Sequence, residues 1–123
     1  VRAAVATADT ALLLEQLPTL LQNQSAQIGP DLLAVGRSQV AAGRYSLAEE
    51  ALREYERRYP AGRGLDEAWF LMAQLLEADS PLRDLQAARD LYDRVYDQFP
   101  ESPFAVRAQV RRDYLDRHFF QIR

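Results

Sequence analysis

Cysteine is absent from these 123 residues, so a disulfide, a thiolate nucleophile and a cysteine-bound metal are all excluded. Lysine is absent too, and all 15 cations are arginine. Arginine suits interfaces through its forked hydrogen bonds and its stacking on rings, although codon bias in a GC-rich genome accounts for the same excess. His118 is the one histidine, too little for a transition-metal site, so no metal or other cofactor is expected. It reads as a packing or surface residue. No apolar run approaches the roughly 20 residues of a membrane span. Positive charge is not in excess either: the net charge of −3 argues against a nucleic-acid footprint. A phosphate-cradling glycine loop and an ordered Ser/His/Asp set are both missing. Asp90, Asp93 and Asp97 recur at helical spacing but alternate with Arg89 and Arg94, which reads as a solvated face rather than an acid–base pair. An enzyme is not expected.

Charge is also scarce at the start. Residues 1–30 carry only Arg2, Asp9 and Glu15, and this shift marks the one internal boundary, giving an N-terminal helical segment 1–29 and a domain 30–123. The opening stretch to Ala6 is too short, and too soon followed by Asp9, to be a secretory signal. A chain starting at Val1 is expected to be processed or truncated, which leaves an upstream signal or anchor open. Leu13, Leu14, Leu17, Leu20 and Leu21 form an apolar stripe at helical spacing. It packs on the rest of the chain, or it mediates self-association through Leu13, Leu17 and Leu20.

What is present is a pattern written twice. Ala48 and Ala88, Leu52 and Tyr92, and Pro60 and Pro100 are each forty residues apart. A fixed register of small, bulky and proline positions predicts two copies of one supersecondary unit, about 30–63 and 64–101. Gly29-Pro30 reads as turn punctuation before a helix from Asp31, and Gly43 supplies a left-handed cap at its end. Ser46 with Glu49 has the spacing of a capping box for the second helix. Helices follow at about 65–78 and 84–98. Ser102-Pro103 then reads as an N-cap and first-turn proline opening a final helix that runs to Phe119 or beyond. No segment alternates with strand period, so the fold class is all-α.

These residues resemble the tetratricopeptide repeat, with its W-x2-L-G-x2-Y…A-x3-F…P pattern. Leu32, Val35, Gly36 and Gln39 precede Ala48, Leu52 and Pro60, and Trp69, Met72, Ala73 and Leu76 precede Ala88, Tyr92 and Pro100. Gln39 replaces an aromatic, and the second unit has three extra residues between its halves. A third unit is only half present. Gln109, Arg112 and Asp113 stand where Trp69, Met72 and Ala73 would repeat, so 102–123 is expected to be an amphipathic capping helix. The resemblance implies an α–α superhelix of about two and a half repeats. The Phe99-Pro100-Glu101-Ser102-Pro103-Phe104-Ala105 stretch is similar to junctions in bacterial envelope members of that family, the β-barrel assembly lipoproteins and the Tol-Pal-associated coordinator. That finer resemblance implies a periplasmic or outer-membrane-associated scaffold, with a cytoplasmic location as the alternative.

By the same resemblance the first helix of each pair lines a concave groove. The register places Leu33, Arg37 and Val40 there, then Phe70, Gln74 and Glu77, then Arg107, Val110, Tyr114 and Arg117. Aromatic residues and arginine are enriched where binding energy concentrates. The expected function is a non-catalytic adaptor offering this groove to a peptide or helix of another protein. The alternatives are a self-associating module and a regulatory domain of a larger protein. A carboxylate clamp of the chaperone-binding kind is not expected, because it uses Lys and Asn and the sole Asn here is Asn23.

Overall fold

The computed structural model describes residues 28–120, which hold five helices: α1 Ile28–Ala41, α2 Tyr45–Arg58, α3 Leu65–Glu77, α4 Leu85–Gln98 and α5 Ala105–Phe119. Among the described residues there is no strand. The described residues form an all-α superhelix of two helical hairpins, α1–α2 and α3–α4, closed by α5. Leu13, Leu17 and Leu20 lie outside the described residues.

α1 begins before Asp31, so Gly29 and Pro30 occupy its first turn instead of a preceding loop. Proline is tolerated there because the first backbone N–H groups of a helix have no intrahelical acceptor. The helix ends in a Schellman motif: Arg44 N–H donates to Gln39 O (2.8 Å) and Gly43 N–H to Val40 O (3.1 Å), with Gly43 at φ +77°. α2 therefore starts at once, and its N-cap position falls on an arginine, whose side chain has no acceptor to offer. Arg44 is the N-cap and makes no side-chain capping bond, so the expected Ser46–Glu49 box does not form and Ser46 is an exposed helical residue. α4 follows a longer loop and is capped in the ordinary way, Asp84 Oδ1 accepting from Ala87 N–H at 3.0 Å. The α3–α4 loop is closed where Asp84 N–H donates to Leu76 O at 2.8 Å.

Small residues sit where the paired helices cross. Ala48, Ala73 and Ala88 are fully buried, and a Cβ added at Gly36 would lie 2.5 Å from Leu52 Cδ2. Leu52, Tyr55, Tyr92 and Val95 fill the space between units, and α3 is buried on nearly every side, from Leu65 to Leu76. Tyr59 and Phe99 close the hairpin ends, their rings 5.1 Å from Tyr55 and 5.5 Å from Trp69. Gly64 completes the first corner. Its N–H donates to Tyr55 Oη at 2.9 Å, and a Cβ there would meet Leu33 Cδ1 at 2.4 Å.

Ser102 does not cap α5, whose N-cap is Phe104. Its hydroxyl accepts from Phe104 N–H (3.0 Å) and donates to Asp66 Oδ2 (2.6 Å), tying the second corner to the start of α3. α5 packs on α4 through Ala108 and Leu115, while Arg112 and Asp116 pair with Asp93 and Arg89. The α4 aspartates are therefore only partly a solvated face, since Asp93 holds α5. Nor is the outer side of α5 uniformly charged: Val106 and Val110 are 68% and 57% exposed. Burial on α5 favours Ala105, Ala108 and Leu115 and leaves these two valines turned away from the core.

Candidate functional site

One face of the superhelix is built from α1, α3 and α5. Arg37 on α1 forms a fork with Glu67 on α3, Nε to Oε2 at 2.6 Å and Nη2 to Oε1 at 2.9 Å. The Glu67 hydrogen bonds hold the Arg37 guanidinium above its ordinary pKa, against the opposing pull of burial. Half of the Arg37 side chain remains in water, so this pair sets the register between units more than it adds stability.

Three turns along α3, Glu77 accepts from Tyr92 Oη at 2.7 Å and from Arg111 of α5. Burial, and then the Glu77 hydrogen bond and charge, push the Tyr92 phenol well above the usual tyrosine range. Glu77 hydrogen bonds likewise raise Arg111, whose guanidinium also lies 4.5 Å from the Tyr114 ring. Tyr114 in turn stacks against His118, ring centroids 4.3 Å apart.

Arg107 stands between these two ties. Its guanidinium lies 4.6 Å from the Phe70 centroid and 5.9 Å from that of Phe104, and it has no carboxylate partner among the described residues. Cation–π contact fixes the guanidinium plane while leaving its donors open. The site is a wall of matched charges enclosing one exposed, oriented and unneutralised arginine.

Of the residues expected here, Arg37, Glu77, Arg107 and Tyr114 share in these contacts. Gln74 is half-buried on the same side of α3, Val40 is half-buried against the core, and Arg117 is exposed without a contact to this cluster. Two expectations are corrected. Phe70 is 2% exposed and belongs to the core, edge-on to Tyr92 at 5.6 Å and roofed by Arg107. Leu33 is buried against the Gly64 corner instead of opening into the groove. Each is covered by a neighbouring element, Phe70 by Tyr92 and Phe104 and Leu33 by the chain at Gly64. Glu67 and Arg111 were missed, although Glu67 lies one turn before Phe70 on the same side of α3 and Arg111 one turn after Arg107.

Among the described residues no group of His, Asp or Glu is placed to hold a metal, and no helix is long and apolar enough to cross a membrane. A family profile described as tetratricopeptide repeat matches residues 67–102. The match takes in α3 from Glu67 onward, all of α4 and the start of the α4–α5 corner up to Ser102. A protein of Treponema pallidum (strain Nichols), described as uncharacterized, is 30% identical over 92 residues, 75% of this chain. The chain spans only 18% of that relative's length. No solved structure matches the chain significantly.

Proposed function

We propose that this chain is a non-catalytic scaffold whose α1–α3–α5 face receives a peptide or helix of another protein. Arg107 carries the reading. An arginine stacked on Phe70 and Phe104 with no carboxylate of its own is already oriented for a partner's acidic or carbonyl oxygen. The forks at Glu67 and Glu77 support it, because they hold the three helices in fixed register and so lower the cost of ordering the groove on binding. Repeat arrays commonly use such concave surfaces.

Photo-crosslinking in the native cell tests it, with the reactive residue placed at Gln74 or Tyr114 and, as a control, at Glu50 on α2. Adducts specific to the first two positions, and lost on Arg107→Glu, are expected. Adducts that are absent there, or indifferent to the charge reversal, would put binding elsewhere.

We place this activity in the bacterial envelope, on the similarity of the Phe99–Ala105 junction alone. Fractionation of the full-length protein into periplasmic and cytosolic pools decides it. A second reading, a regulatory module within a longer polypeptide, is favoured by the 18% share of the Treponema relative.

A further inference from the structure

The reverse side of the superhelix carries a second, independent feature. α1 and α3 pack closely against each other, whereas α2 and α4 stand further apart. Their separation opens a crevice of about 200 Å³ over α3. Trp69, Met72 and Leu76 form its floor, and it is wide because Ala68 and Ala87 leave volume that larger side chains would fill. The floor is fixed: Trp69 Nε1–H donates to Glu56 at 3.1 Å, and its ring packs on Phe99.

The rim has one open valency. Arg94 lies 5.1 Å above the Trp69 ring and has no carboxylate partner among the described residues. The other rim charges are engaged, Arg53 with Glu49 and Glu56 with the indole. An occupant must therefore bring apolar bulk to the floor and negative charge to Arg94.

We propose that the crevice between α2 and α4 is a second docking surface, for a short segment of another protein presenting one bulky apolar side chain beside a carboxylate. The apolar group covers Met72 and Leu76, and the carboxylate completes Arg94. The surface is separate from the α1–α3–α5 face, so the chain can hold two segments at once.

Trp69 is the only tryptophan, so its emission reports on this site directly. The probes are three capped tetrapeptides: Glu-Leu-Phe-Asp, Lys-Leu-Phe-Lys and Glu-Ala-Ala-Asp. The first is expected to change Trp69 emission saturably, with calorimetry giving the same midpoint, and the other two to bind at least about tenfold more weakly. Ala87→Leu, which fills the crevice without altering charge, and Arg94→Glu are each expected to weaken the first peptide by about tenfold or more, whereas Arg107→Glu leaves it unchanged. Equal response to the three peptides, no saturation with any, or loss on Arg107→Glu would overturn the assignment. So would concentration-dependent dimerisation abolished by Ala87→Leu, which would make a second copy the occupant.

Discussion

The phenol of Tyr92 donates to Glu77 Oε1 at 2.7 Å while Arg111 holds the same carboxylate. One side chain of α3 thus ties α4 to α5, and it does so at a tyrosine with no exposure to water. Burial and the adjacent carboxylate both disfavour the phenolate, so the folded chain keeps a proton that the unfolded chain gives up.

That difference sets an alkaline limit. Below about pH 10 both states hold the proton and the contribution of Tyr92 to stability is fully present. Above it the unfolded state binds fewer protons, and stability falls by about 1.4 kcal/mol per pH unit until Tyr92 itself titrates. Tyr55, also raised by burial, acts in the same direction. Urea midpoints between about pH 8 and about pH 11 measure the slope. Tyr92→Phe should be less stable by about 1 kcal/mol near pH 8 yet decline more gently above pH 10. Parallel slopes would remove Tyr92 from the alkaline transition.

The two hairpins differ in how their second helices start, and this too is measurable. Asp84→Ala removes a real cap and should cost about 1 kcal/mol, whereas Ser46→Ala removes nothing, because Ser46 caps no N–H. Thermal melts of the pair check it. A Ser46→Ala loss equal to that of Asp84→Ala would restore the capping box.

The repeat was legible because close approach admits few residue types. Ala48 and Ala88 recur forty residues apart, and Gly36 and Ala73 sit at matching crossings, since a larger group there would strike the partner helix. Capping was less legible: Ser46-x-x-Glu49 has the right spacing, but the Schellman ending at Gly43 begins α2 too early for it. On the site, periodicity put Arg37, Glu77, Arg107 and Tyr114 on one side. It misjudged Phe70 because α3 is apolar almost all round, so no polar gap marks which of its sides faces water. Ion pairing was invisible, since Glu67 and Arg111 find their partners across helices thirty and thirty-four residues apart.

Gln39 stands at a position where the repeat pattern favours an aromatic, and it is fully buried with no hydrogen-bond partner for Oε1. Its amide reaches only Ser38 Oγ, at a long 3.3 Å. An unsatisfied buried acceptor costs about 1–3 kcal/mol. Gln39→Met keeps the length and flexibility of the side chain and removes the polar group, so stability should rise by about 1 kcal/mol. A lower denaturation midpoint for the methionine variant would mean that the amide is satisfied in solution.

The closing helix α5 presents both ionic and apolar attachments, and their magnitudes separate them. Arg89 pairs with Asp116 across α4 and α5, but each side chain is about a third exposed, at 32% and 36%. Such pairs contribute at most about 1 kcal/mol. Leu115, one residue before Asp116, is wholly buried, and truncating it leaves a cavity worth about 2–5 kcal/mol. Leu115→Ala should therefore speed amide hydrogen exchange along α5 and lower the melting temperature, whereas Arg89→Ala should leave both nearly unchanged. Exchange accelerated as much by Arg89→Ala would mean that the charges, not the buried leucine, fasten the end of the stack.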